Sequence, residues 1–486
     1  MSPAILRFYH MVIFTECDKV VDFSRNDLPD EEFCVIIYKV IFSCQILVEV
    51  FFLHRTIKWI IAAALVLSLC VASIAVAEET YYQELPSKGI ASTRKISVSI
   101  PGENPVVDGI NPLTGELWSG SYRPIGVNID QHPEALPNWG VASADIIFEM
   151  PIQADGSTRA FALFMGDIPS YAGPVRSGRV PMGSLREIFG GAWVFYGWQN
   201  TAVKSGELIV DVDTWALNMH SDARQGGRWV FPFVEGTERN YANLFHREKD
   251  GMHVAPYNVQ VDMKAVANLF DEEPAMRPFK FTDTGLDRGV DVSAMTINYK
   301  TTKPQYVVDY KYNEATGLYE RYRNGEAYYD ALSGMATTYS NVIVMRTDVT
   351  WFNNNNSRPV IQTVGQGVAE IFQNGKYIRG TWVRSHSDKQ ADDFDSQSAR
   401  LIFLDENDEE IELKVGKTFI QIVNNDQSVI VTSNEAIEGA TAQATPKPTA
   451  TPRPTRTPKP TRTPRADRNA TKAMEVEEEG ELSFGG

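Results

Sequence analysis

Pro124-Ile125-Gly126-Val127-Asn128-Ile129-Asp130 reads as a strand that ends in a carboxylate, because apolar side chains recur at every second position and a charge closes the run. A loop follows from His132-Pro133 to Asn138-Trp139. Ala144-Asp145-Ile146-Ile147-Phe148-Glu149 is a second such strand, and Arg159 to Met165 a third. Next comes Gly173-Pro174-Val175-Arg176-Ser177-Gly178-Arg179. Arginine, serine and glycine are poor core material, and good material for holding an anion. Pro181 sits where a first helical turn tolerates proline, and Leu185, Ile188 and Phe189 share one helical face. Ala192 to Trp198 returns as a strand, and Asn258 precedes a second expected helix, Val261 to Phe270. Strands interleaved with helices predict an α+β, or mixed α/β, layer domain.

After Pro274 strand signals dominate: 294–299, 306–310, 318–322, 342–345, 369–372, 401–404 and 419–423. Asn324-Gly325 and Asn374-Gly375 lie between such runs and read as hairpin turns, since both central residues of a type I′ turn need positive φ. This half is expected to be a mostly β domain.

The chain has 486 residues, more than one core usually organises, so two domains plus tails is the expectation. We divide it into an extension upstream of the true start (1–53), a signal peptide or N-terminal anchor (54–77), a linker (78–110), an N-terminal domain (111–275), a C-terminal β domain (276–435) and a tail (436–486). The leader reading rests on basic His54-Arg55-Thr56-Ile57-Lys58, the apolar run Trp59 to Val76 and the Ala75-Val76-Ala77 end. The alternative is a retained membrane tether, since about eighteen apolar residues can span a bilayer. All four cysteines precede Ala77, so a chain starting near Glu78 has no disulfide and no thiolate site. Export to an extracytoplasmic place at a bacterial cell envelope is the address these features predict. The tail repeats Thr-Pro-Lys/Arg-Pro themes to Pro464 and ends acidic, as an extended spacer does. A net charge of −16 excludes a general nucleic-acid binder.

Two readings of the arginine loop stand open. Arg176 and Arg179 hold an anion, with Arg159 as a third ligand, or they pair with Asp130 and Glu149 as a structural network while Ser177 caps the helix. Asp130 and Glu149 both sit at strand ends. Carried on neighbouring parallel strands they would face one rim, where acid/base work on a glycoside needs carboxylates about 5–9 Å apart. His220, Asp222, His246 and His253 lack the tight spacing of a helical zinc site, and no metal or other cofactor is expected. No G-x-S-x-G elbow and no G-x-x-x-x-G-K-[ST] loop is present. Tyr196 and Trp198 alternate with Phe195 along a strand and are candidate stacking faces for a sugar.

Asn111-Pro112-Leu113-Thr114-Gly115, Arg123 to Asp130, Ala144 to Glu149, Thr158-Arg159 and Gly173 to Arg179 occur in an order that resembles the YerB-like family (DUF3048). Gly380-Thr381-Trp382 and Leu413 to Ile420 are similar to its second domain. The resemblance implies a bacterial envelope protein, often a lipoprotein, and a fold more than an activity. Members carry a His-Ala-Gly-Gly-Ser segment where this chain has Phe195-Tyr196-Gly197-Trp198-Gln199, and Pro-His-Asn where it has Pro256-Tyr257-Asn258. The first functional expectation is therefore a binding module that grips peptidoglycan, another acidic polymer or a peptide carboxylate through Arg159, Arg176, Ser177 and Arg179, with Asn258 helping. The second is a glycan hydrolase or transferase using Asp130 and Glu149. The third is a scaffold for an envelope protein partner.

Overall fold

The apolar residues of 125–130, alternating, and of 146–151 and 158–164, in continuous runs, do produce strands, and a computed structural model shows what covers them. It describes residues 79–87, 106–201, 210–273, 275–276, 279–300, 302–355, 357–384 and 400–444. The four cysteines, the leader, most of the linker and the Pro/Thr-rich tail lie outside the described residues.

After β1 (Tyr81–Glu84), β2 (Ile125–Asp130) pairs antiparallel with β4 (Thr158–Phe164), which pairs antiparallel with β3 (Ile146–Pro151). β5 (Tyr171–Ala172) is short, and β6 (Ala192–Phe195) runs parallel to β2. Strand Phe233–Glu235 extends the sheet beyond β6. On its other side β3 pairs in parallel with Thr418–Asn424, which pairs with Asn341–Thr347; Gly365–Gln373, Lys376–Arg384 and Ile402–Leu404 complete the order. One mixed sheet thus runs through segments from both halves of the sequence.

An antiparallel layer made of β1, Val429–Ser433, Val290–Asn298, Val307–Asn313 and Leu318–Arg323 packs on one face of this sheet. The other face is covered by α1 (Val180–Arg186) and α2 (Val212–Met219), through Met182, Leu185, Val212, Trp215 and Ala216. Because both faces are buried, Ile125, Val127 and Ile129 enter one core while Phe148, Phe161 and Trp193 enter the other.

The expected α+β, or mixed α/β, N-terminal layer domain is corrected here: both halves are mostly β. Among the described residues there are three short α-helices, α1, α2 and α3 (Met263–Ala267). The expected helix Val261 to Phe270 begins instead as strand Val259–Asp262, paired with β5 and with Phe245–Arg247, and Asp262 then caps α3 by accepting from Ala265 N–H. Short apolar runs do not tell strand from helix by periodicity alone. α1 stops early because Gly190 and Gly191 both adopt positive φ, and a Cβ on Gly191 would lie 1.9 Å from the Pro124 carbonyl oxygen. Ile188 and Phe189 are buried beyond its end. Asn324-Gly325 and Asn374-Gly375 have φ of 51°, 80°, 53° and 71°, and they close hairpins as their sequences imply.

Candidate functional site

β6 covers the edge of β2 only over Ile125 to Val127. Beyond that point the loop after β5 takes its place: Asp130 N–H donates to Pro174 O, Arg176 N–H donates to Asn128 O, and Ile129 bridges Val175. Strand Val259–Asp262 supports the loop from outside, with Val175 N–H donating to Val259 O. Gly173 is needed for this approach, since a Cβ there would stand 2.5 Å from Val259 O. This stitching aims Arg176, Ser177 and Arg179 at the end of β2.

There Asp130 Oδ2 accepts from Arg176 Nε at 2.8 Å and from Arg159 Nη2 at 3.4 Å, while Oδ1 accepts from His132 N–H. Burial would raise the Asp130 carboxyl, but the Arg159 and Arg176 guanidiniums outweigh it and hold the group below the ordinary range. Arg159 is buried and donates Nη1 to Ser177 O. Asn128 braces the same carbonyl through Nδ2 and takes Trp193 Nε1 on its Oδ1. Arg176 is 27% exposed and lies over the Tyr257 ring, which His132 stacks on from 4.8 Å.

Arg179 has no carboxylate at salt-bridge distance among the described residues; its Nη1 donates to Gly178 O. Burial, with Arg159 and Arg176 adding repulsion, pushes its guanidinium down to about 9. The Nε atoms of Arg159 and Arg179 are both buried with no hydrogen-bond partner. The first residue of α1 follows Arg179, which stands at the N-cap without a side-chain cap, so Ser177 is not the capping residue.

Asp130 and Glu149 are not brought together. Asp130 stands opposite Arg159, which stands opposite Met150, whereas Glu149 stands opposite Ala160. Side chains alternate faces along a strand, so the two carboxylates leave opposite faces of the sheet. β4 also separates their strands, which are parallel but not neighbours as the shared-rim idea required.

Glu149 is fully buried between the two sheets. It accepts from Arg321 Nη2 at 2.7 Å, Arg323 Nη1 at 2.8 Å and Gln421 Nε2 at 2.9 Å, and from the Thr158 hydroxyl. Burial would raise it, yet these two arginines and the hydrogen bonds draw it down to about 2. Arg321 is sandwiched between Tyr328 and Phe419, at 4.0 and 4.8 Å. This cluster is a brace between layers. No local signal marks Arg321 and Arg323 as its partners, because they sit 172 and 174 residues away.

Asn258 lies outside the arginine cluster, its amide committed to Arg247 Nη1 and Glu248 O. Arg247 lies over Tyr196, and Arg224 over Trp198, whose Nε1 donates to Asp213. His253 is buried, held by Asp250 and the Pro137 carbonyl. Among the described residues no cluster of three His, Cys, Asp or Glu is placed to hold a metal ion.

Sequence reasoning missed Gln199. Its carboxamide is buried with both Nε2 and Oε1 unpartnered. A parallel bridge joins Gly178 to Trp198, with Gly178 N–H donating to Gly197 O and Gln199 N–H to Gly178 O. Trp198 packs toward the helix-covered core, and the parallel register of the bridge sets Gly197 beside Ser177 and Gln199 beside Arg179.

The model of the N-terminal domain of DUF3048, described as a protein of unknown function, matches residues 113–276, and the model of its C-terminal domain matches residues 295–420. The protein named "Putative lipoprotein YerB" of Bacillus subtilis (strain 168) is 24% identical over 278 residues, which span 56% of this chain and 77% of that protein. The crystal structure of YerB protein from Bacillus subtilis aligns with a TM-score of 0.51 at 21% identity, covering 65% of this chain and 96% of the other. That likeness shows the fold.

Proposed function

The chain belongs to the DUF3048 family, and from that premise we propose that it is an envelope-associated binding protein whose Arg159, Arg176, Ser177 and Arg179 hold an anionic group of an envelope polymer or peptide. The observation that carries this reading is an excess of cation. Three guanidiniums gather around one carboxylate, and two of them keep a buried Nε–H without an acceptor. A buried donor without a partner forgoes about 1–3 kcal/mol, which an entering oxyanion would restore. Arg176 is spoken for by Asp130 through Nε alone, leaving its partly exposed Nη atoms for a ligand. The name of the Bacillus relative supports the envelope address.

The test is equilibrium binding of an acidic wall polymer to the wild type and to Arg179→Gln. Loss of at least ten-fold in affinity with no fall in melting temperature is expected. Equal binding by both proteins would sink the assignment of this loop. The carboxylate-pair enzyme is not carried forward, because Asp130 and Glu149 open onto different faces.

A further inference from the structure

The orphaned atoms at the loop narrow the chemistry of the ligand, and this step rests on the anion-site reading above. Arg159, Arg176 and Arg179 against Asp130 leave two positive charges. Glu235 lies behind Gly197, but its oxygens are taken by the N–H groups of Gly197, Thr237 and Glu238 and by the Thr237 hydroxyl. The charges that act on Arg179 are those of Arg159, Arg176 and Asp130. Two uncompensated charges fit a phosphate dianion better than one carboxylate.

A bare oxyanion cannot satisfy Gln199. Its Nε2 needs an acceptor and its Oε1 needs a donor, and both are buried and unpartnered. A hydroxyl supplies both. Space for one lies above Gly197, where an added Cβ would meet only Ser177 Oγ, at 3.5 Å. The aromatic rings nearby are poor platforms for a sugar ring. Tyr196, Trp198 and Tyr257 each carry an arginine over the ring, and Tyr257 also stacks on His132. We infer that the site takes a phosphate borne on an open-chain polyol, with the phosphate on Arg159, Arg176 and Arg179 and an adjacent hydroxyl on Gln199.

The experiment is titration calorimetry of the full chain with glycerol 3-phosphate, inorganic phosphate and glycerate, repeated on Gln199→Leu, Gln199→Glu and Arg179→Gln. The wild type is expected to bind glycerol 3-phosphate at least ten-fold more tightly than inorganic phosphate, and glycerate more weakly than either. Gln199→Leu should bring the two phosphate affinities together while leaving that for inorganic phosphate unchanged. Gln199→Glu, which keeps the shape and adds a negative charge, should weaken both. Arg179→Gln should weaken both at least ten-fold. Equal wild-type affinity for glycerol 3-phosphate and inorganic phosphate, or a preference for glycerate, would overturn the polyol-phosphate inference and leave the anion site standing. A folded wild type that binds none of the three, nor an acidic polymer, overturns both readings. Phosphatidylglycerol vesicles form a parallel arm. Binding to them without response to free glycerol 3-phosphate assigns the group to a lipid headgroup; response to the free compound assigns it to a soluble or polymeric source.

Discussion

Asp130, at the end of β2, and Glu149, two residues before the end of β3, project from opposite faces of one sheet, because Asp130 shares a row with Arg159 and Met150 while Glu149 shares the next row with Ala160. A single-residue difference in register separates a half-open arginine site from a sealed brace.

Arg179 is the residue whose removal should leave the fold intact. Its guanidinium is repelled by Arg159 and Arg176 and has no carboxylate among the described residues at salt-bridge distance. Arg179→Gln is expected to keep or raise the melting temperature while anion affinity falls. The sign of the pH effect follows from a base lowered to about 9: the destabilisation is complete below pH 9 and fades as pH rises toward the ordinary arginine value. Denaturant midpoints of wild type and variant should therefore converge in strong alkali.

Asp130→Asn takes away the acceptor that Arg159 and Arg176 share. Stripping one partner from a buried ion pair costs about 3 kcal/mol or more, so the variant should melt early. The same change frees two more guanidiniums for a ligand. Phosphate should accordingly stabilise Asp130→Asn by more than it stabilises the wild type, as thermal shift against phosphate concentration will show. A smaller shift in the variant contradicts the site.

Glu149→Gln leaves Arg321 and Arg323 buried without a counter-charge. A loss of roughly 3–5 kcal/mol is expected from chemical denaturation. Anion affinity measured on whatever fraction stays folded should be unchanged, since the carboxylate faces away from the arginine loop.

Acid should unfold the protein through these same groups. Glu149 is lowered to about 2 and Asp130 is also lowered. Groups lowered in the folded state stabilise it above their unfolded pKa, near about 4, and lose that contribution as pH falls through it. Stability is expected to drop between about pH 4.5 and 2. The slope over that window should flatten in Glu149→Gln, and equal slopes would show that other carboxylates dominate.

Gly191→Ala tests how the chain returns from α1 to β6. It combines a φ of 69° with a Cβ 1.9 Å from the Pro124 carbonyl oxygen, and a loss of about 2–4 kcal/mol is expected by thermal melting. Wild-type stability would mean that Pro124 moves freely.

Local residue chemistry made much of this legible. Apolar alternation marked β2 and short apolar runs marked β3 and β4, Asn-Gly pairs marked two hairpins, and the density of arginine in 173–179 marked the loop that meets Asp130. The motif order marked the family. Helices were over-read. Val259, Val261, Met263 and Val266 all enter one core, and over so short a run periodicity does not distinguish strand from helix. Gln199 escaped notice because a single glutamine has no pattern. Only the Gly178–Trp198 bridge sets it beside Arg179.

By itself, then, the sequence determined the strand-forming segments, the cationic loop and the family, since each depends on residues within a few positions of one another. Tertiary structure alone decided that Glu149 belongs to Arg321 and Arg323 rather than to Arg176 and Arg179. It also decided that β3 joins Thr418–Asn424, and that Arg179 has no carboxylate at salt-bridge distance among the described residues. Those outcomes depend on strand register and on pairings across hundreds of residues. Backbone hydrogen bonding and burial settle them for the whole sheet at once, and no short window of sequence contains that sum.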